Sequence, residues 1–229
     1  QTTAERYHRG KGFASWRKEK LDEVALDFLV ALTPPQAVLL ELGAGTGHFT
    51  KRVIASRRFG RIHVTDGAPA MLDVAQQTLP KEDGLLQFSI LDFANEWAGQ
   101  FGEQAFDAVT STMALHHAAD KQRLFEQIFI VLKPGGIFVF GDHMAANSAL
   151  GQYLIDRERA LIKLGRDKQD DEARIRDQIK IDEWRQKAEG DQCESVSQYL
   201  TYLSAVGFVE ADCLWQDFWL AVFVGRRAE

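Results

Sequence analysis

Short β-branched and aliphatic runs alternate with amphipathic stretches from about residue 37 to 141, the order in which parallel strands are joined by crossover helices. The runs at 38–42, 61–65, 85–91, 106–112 and 137–141 predict strands. Between them, 47–56, 69–78 and 121–132 predict helices, with Pro69 in a first turn and Pro134-Gly135-Gly136 closing the last. Ahead of this unit, Leu21, Val24, Ala25, Phe28, Leu29 and Leu32 recur at helical spacing over 16–32, and Thr33-Pro34-Pro35 ends the run, so a helix packs on or covers the sheet. After it, 145–191 turns densely charged with Leu150, Tyr153, Leu154, Leu161 and Leu164 on one stripe, which predicts two or more helices inserted after the fifth strand. The chain then regains strand character at 207–215 and 218–224, with a break at Gln216-Asp217 that allows an antiparallel hairpin.

The pattern predicts an α/β protein with a doubly wound, mostly parallel sheet, a C-terminal antiparallel hairpin and a helical lid insert. Its ligand crevice is expected at the strand C-termini. One domain over 1–229 is expected: a helical cap (1–36), a ligand-binding core (37–144), the insert (145–192), and a last helix with the hairpin (193–229). The 229 residues, 45% hydrophobic and 26% charged, suffice for one well-buried core and are short for two. The net charge of -6 gives no basic field to hold phosphate backbones, so no nucleic-acid partner is expected. Only Cys193 and Cys213 occur, too few for a disulfide scaffold or zinc finger. No run of about 18 apolar residues is present, so neither a membrane span nor an export signal is expected, and the expected location is cytoplasmic. Gln1 in place of Met points to a trimmed chain.

The chemistry concentrates after the first strand. Glu41-Leu42-Gly43-Ala44-Gly45-Thr46-Gly47 leads from a buried strand into a helix, where the backbone must turn sharply and approach a ligand closely. A dinucleotide fingerprint would need Gly-x-Gly-x-x-Gly, and His48 stands where its third glycine belongs. Asp66 ends the second strand, followed by Gly67, and Asp92 follows the third between Leu91 and Phe93. Taken singly, such glycines are often turns and such aspartates caps. Their joint order favours one ligand, because unrelated turns have no reason to fall at the strand ends facing one crevice.

These segments, together with Phe106-Asp107-Ala108-Val109, Ala114-Leu115-His116-His117, Leu132-Lys133-Pro134-Gly135-Gly136 and the terminal hairpin, resemble the class I S-adenosylmethionine-dependent methyltransferases. The nearest branch in resemblance is the small-molecule one that includes ubiquinone and menaquinone C-methyltransferases and carboxy-S-adenosylmethionine synthase. The resemblance implies a seven-stranded Rossmann-like sheet and S-adenosyl-L-methionine as cofactor, with S-adenosyl-L-homocysteine as product. It places the cofactor on Glu41, Gly43, Ala44, Gly45, Gly47, Asp66, Gly67, Met71, Leu91, Asp92, Phe93 and Thr112. Asp66 would hold the ribose and Asp92 the adenine amino group, with Met71 and Phe93 flanking the ring.

The sulfonium already activates the methyl group, so the protein has to align a nucleophile and exclude water. An acceptor of high pKa also needs a base, and His116, His117, Asp142 and His143 lie beyond strands four and five. His117, His143 and Asp142 are the candidates, with His117 lining the cofactor first. These four have metal-ligand types but no diagnostic spacing, and no metal is expected. Among the aromatic residues, which include Tyr7 and Phe13, Trp16 and Tyr153 are the candidates to close over the acceptor. Arg17, Arg157 and Arg159 are candidates to bind an acidic acceptor, with solvated helix faces the favoured expectation for each. The expected partner is a small-molecule acceptor, and a homodimer is left open. Competing readings are an enzyme that rebuilds or cyclises the cofactor, a cofactor-binding domain without catalysis, and RNA methylation, which would predict a basic stripe.

Overall fold

The computed structural model describes residues 15–81, 84–168 and 170–229; Tyr7 and Phe13 lie outside them. In chain order the elements are α1 (Ser15–Leu32), β1 (Ala37–Leu42), α2 (His48–Ala55), β2 (Phe59–Asp66), α3 (Pro69–Thr78), β3 (Leu86–Ile90), β4 (Phe106–Thr112), α4 (Lys121–Val131), β5 (Leu132–Ala145), α5 (Ala149–Leu164), α6 (Glu172–Glu189), β6 (Glu194–Ser195), α7 (Val196–Val206), β7 (Phe208–Asp217) and β8 (Leu220–Arg227). The sheet runs β3-β2-β1-β4-β5-β8-β7, parallel through β5, with β8 antiparallel to both β5 and β7. The two-residue β6 adds a short parallel pairing to the far end of β5, Met144 opposite Glu194. The strand order reverses between β1 and β4, which opens a crevice beyond their C-terminal ends.

The central strands are apolar on both faces because helices cover both. On one face Leu39, Val64, Ala108, Val139 and Val222 pack with Leu21, Ala25 and Leu29 of α1, Phe49 and Val53 of α2, and Leu72 of α3. On the other, Leu40, Val109, Phe138, Phe140 and Phe223 meet Leu124, Phe125 and Ile128 of α4 and Tyr199 and Leu203 of α7. Alternate residues of β1 and β5 therefore feed opposite cores, which fixes the register: a one-residue slip would exchange the two sets.

Three expectations need correction. The stripe on α5 does not form its buried side: Leu150, Tyr153 and Leu154 are exposed, and the helix buries Ile155, Glu158, Ala160 and Leu161, the last two against Ile175 of α6. The hairpin turns at Phe218-Trp219, not Gln216-Asp217, and β7 runs through Asp217. Arg17 is not solvated; it is 5% exposed.

Arg17 ties α1 to the hairpin tip and to α5. Its guanidinium pairs with Asp217 and lies 3.4 Å from Glu158. It also sits over the rings of Trp16, Phe218 and Trp219, at 4.6, 5.1 and 5.2 Å from their centroids. Arg17→Ala withdraws a buried cation from two carboxylates and three aromatic faces, so a loss of about 3 kcal/mol in denaturant unfolding is expected. Arg17→Lys, a point charge without the planar fork, is expected to recover less than half of it.

Candidate functional site

The glycine loop after β1 folds against the end of β2. The Ala44 amide donates to the Thr65 carbonyl at 2.8 Å, and the Gly45 amide donates to Asp66 Oδ2 at 2.8 Å. Gly43, Gly45 and Gly47 all have positive φ, at 66°, 57° and 81°. They differ in what surrounds them. A Cβ at Gly43 would lie 2.2 Å from Ala114 Cβ, so the loop is pressed against the segment after β4, whereas a Cβ at Gly45 would meet nothing within 4 Å among the described residues. The first glycine joins two walls of the crevice and the second leaves space for something else.

A cavity of about 430 Å³ opens at this point, within the range of small-molecule sites. Gly43, Asp66, Gly67, Leu91, Asp92 and Phe93 form one wall; Ala114 and the 117–120 segment with Arg123 form the other. Asp66 Oδ1 accepts from the Ala68 amide at 2.8 Å and Asp92 Oδ1 from the Ala94 amide at 2.9 Å. Each carboxylate thus shapes its own turn and still has acceptor capacity left for a ligand.

Below the loop, Glu41 is 1% exposed and its Oε2 has no hydrogen-bond partner among the described residues. Burial, with the charges of Asp22 and Asp66 adding to it, pushes its pKa from 4.5 up to about 8.

The far wall carries a cluster of imidazoles and carboxylates on the turn Leu115–His117. Asp142, fully buried, accepts from the His116 amide at 2.7 Å on Oδ2, and its Oδ1 lies 2.5 Å from His116 Nδ1. The same Oδ1 accepts from the His143 amide at 2.7 Å. Burial opposes charge on both partners, yet each holds the other ionised: the His116 pKa lies above the ordinary value and that of Asp142 below it. Burial and the adjacent His116 depress His117, and burial, His116 and Arg159 bring His143 down to about 3. The His116 and His117 ring centroids are 4.1 Å apart, and His143 lies 5.0 Å from His116. Asp191, from the end of the insert, brings its Oδ1 to 3.4 Å from His117 Nδ1 and 3.8 Å from His116 Nε2. The Gln192 amide, donating to the His116 carbonyl at 2.8 Å, secures that segment.

Residues 40–138 match the family described as "Methyltransferase domain". The fold of the chain is that of the class I S-adenosylmethionine-dependent methyltransferases. The polyketide synthase component of the compactin nonaketide synthase of Penicillium citrinum is 36% identical over 104 residues, 44% of this chain and 3% of that protein. The chain spans 3% of the length of the first curated relatives it matches. Phosphoethanolamine N-methyltransferase 2 of Haemonchus contortus, solved with phosphomonomethylethanolamine and S-adenosylhomocysteine, superposes with a TM-score of 0.69 at 14% identity, covering 99% of this chain and 57% of that one. The CurJ carbon methyltransferase superposes with a TM-score of 0.64 at 18% identity, covering 93% and 54%.

The residues of the crevice fit S-adenosylmethionine, the cofactor that the resemblance implies. The orphaned Glu41 oxygen can take an ammonium, the space at Gly45 admits a chain end against the loop amides, and Asp66 and Asp92 keep lone pairs for hydroxyl and amino donors. Of the residues expected to bind it, Gly43, Asp66, Gly67, Leu91, Asp92 and Phe93 line the cavity together, and Ala44, Gly45 and Gly47 belong to the loop at its edge. Met71, half-buried in the first turn of α3, and Thr112, half-buried at the end of β4, are not in the lining. His117 lines it, with its side chain 48% exposed. His143 is partly buried beside His116, and Asp142 is taken up in holding the histidine turn. Trp16 and Tyr153 are 59% and 47% exposed and outside the lining.

Sequence reasoning missed the lining contributed by 118–120 and Arg123, the buried role of His116, and Asp191. The first two lie beside motifs that were legible. Asp191 gives no local signal: it is one acidic residue in a charged insert, carried to the histidines by the β5–β6 pairing that follows it.

Proposed function

We propose that this chain transfers a methyl group from S-adenosylmethionine to a small-molecule acceptor, in line, within the cavity between the glycine loop and the His116–His117 turn. The observation that carries the reading is the opposition of two walls across one cavity. One is built of glycines and carboxylates suited to the cofactor, and the other carries imidazoles at the place an acceptor would enter. The cofactor supplies an electrophilic methyl when bound. The chain's own part is to orient it through Asp66 and Asp92, exclude water with Phe93, Ala114 and Ala118, and manage the acceptor's proton through the histidine group. His117 and His143, with depressed pKa values, are neutral at pH 7 and available as acceptors of hydrogen bonds or protons.

The polyketide synthase relatives and the carbon methyltransferase neighbour support an acidic carbon or hydroxyl acceptor. The phosphoethanolamine enzyme shows the same fold acting on an amine. The net charge of -6 supports a small molecule over nucleic acid. The reading includes a cytoplasmic location, which the free Cys193 and Cys213 fit; among the described residues no helix is long and apolar enough to cross a membrane.

Incubation with S-adenosylmethionine and a panel of β-carbonyl, phenolic and amine acceptors, with products read by mass, tests this. S-adenosylhomocysteine formed with a methylated acceptor is expected. A rebuilt or cyclised cofactor, or tight binding with no turnover on any acceptor, overturns it. His117→Ala is expected to lower kcat about 100-fold while changing cofactor affinity less than threefold. Equal loss in both would reduce His117 to a cofactor-lining residue.

A further inference from the structure

We propose that His116, His117 and Asp191 form a binding site for a first-row transition-metal dication at the acceptor side of the cavity. One donor atom from each lies within 4.8 Å of the other two. The Asp191 oxygen stands 3.4 Å from His117 Nδ1 and 3.8 Å from His116 Nε2, too far for hydrogen bonds. With metal bonds of about 2.0–2.1 Å, neighbouring ligand atoms of a tetrahedral ion are about 3.3 Å apart, close to the shorter spacing.

The second observation is the state of Asp191 itself. Its side chain is only 7% exposed, and Oδ1 is buried without a hydrogen-bond partner among the described residues while it faces two imidazole nitrogens. His116 sharpens the point. Asp142 engages Nδ1 at 2.5 Å, which leaves Nε2 as the ring atom turned to Asp191, at 3.8 Å; a dication entering there would displace the proton that the cationic ring carries on Nε2. The spacing, too long for a direct hydrogen bond, leaves room for an ion between the imidazoles and the carboxylate. A buried carboxylate on the outer nitrogen of a ligating histidine is the arrangement that fixes its tautomer and raises its basicity.

Two imidazoles and one carboxylate are the ligands of dications such as Zn2+, Fe2+ or Co2+, and three protein ligands leave coordination positions open. Because His117 also lines the cavity, those positions face the acceptor. The acceptor class implied carries an oxygen donor next to the atom to be methylated, such as an enolisable carbonyl or a hydroxyl, which the ion polarises as a Lewis acid. This deepens the methyl-transfer reading and rests on it for the acceptor's position, but the site itself is tested without acceptor or cofactor.

Chelator-dialysed protein is titrated with Co2+ and followed by its visible ligand-field absorption and by calorimetry. One ion per chain is expected, with binding abolished in Asp191→Ala and weakened about 10- to 100-fold in Asp142→Asn. Circular dichroism confirms folding, and Asp191→Asn, nearly isosteric, guards against a structural effect. Absence of Co2+ absorption in the wild type, or an unchanged titration in both Asp191 variants, overturns the proposal. S-adenosylmethionine affinity is measured on the same samples and is expected to be unchanged in Asp191→Ala. A wild type that binds the ion and not the cofactor would sink the methyl-transfer reading alone, and the reverse would sink the metal site alone.

Discussion

Gly43→Ala is expected to destabilise the protein by about 3 kcal/mol, whereas Gly45→Ala, two residues on, costs about 1 kcal/mol and is felt mainly in cofactor affinity. Both positions have positive φ, 66° and 57°, so any Cβ carries the left-handed penalty of about 1–2 kcal/mol. At Gly43 the new methyl would also stand 2.2 Å from Ala114 Cβ. Alanine has no rotamer with which to retreat, so the loop or the segment after β4 must move, which adds about 1–3 kcal/mol of overpacking. Since Ala114 lies in the other wall of the cavity, the displacement widens the crevice, and cofactor affinity falls with stability. At Gly45 nothing lies within 4 Å, so the fold tolerates the methyl but the space for the cofactor's chain end shrinks. Gly45→Val, which is larger, is expected to weaken binding more than 30-fold in calorimetry, an effect of about 2 kcal/mol. Equal stability losses for Gly43→Ala and Gly45→Ala would contradict this division of roles.

The two glycines show what a sequence can display. Their spacing after an apolar run announced a tight turn near a ligand, because only backbone constraints of that kind call for repeated glycine. It could not say which glycine packs and which leaves room, since Ala114 follows β4, three strands later in the chain. The strands were legible for a similar reason: burial on both faces demands unbroken Val, Leu, Ile and Phe runs, as at β1 and β5. The insert was not. Its apolar stripe on α5 matches a helix period, but a period states only which residues share a side, and the partner surface decides whether that side is buried. Arg17 shows the converse, a cation in a charged helix start whose buried pairs with Asp217 and Glu158 come from the far end of the chain and the insert. Likewise His116 and Asp142 were each visible as strand-end polar residues, whereas their pairing, and the approach of Asp191, depend on β4–β5 adjacency and on where the insert returns.

Binding of S-adenosylmethionine at pH 7 is expected to release close to one proton, and Glu41→Gln to abolish that release. Glu41 is buried, with a pKa raised from 4.5 to about 8 mainly by burial and with Oε2 unpartnered, so in the free protein it is largely protonated at neutral pH. A cofactor ammonium beside it favours the carboxylate, and the proton leaves with binding. Calorimetry in buffers of different ionisation enthalpy reads the number directly. Stability moves the other way. Between pH 4.5 and about 8 the unfolded chain has lost this proton and the folded chain has kept it, so stability falls as pH rises through that window and levels off above it. Glu41→Gln removes the decline, and the free variant is expected to be more stable than wild type at pH 8 by about 1–3 kcal/mol. Its cofactor affinity is expected to drop about 10- to 150-fold, the loss of a charge-assisted hydrogen bond of about 1.5–3 kcal/mol. A glutamate kept only for packing would show neither proton release nor this opposition between stability and affinity. Proton release that persisted in Glu41→Gln would move the linkage to another group in the crevice.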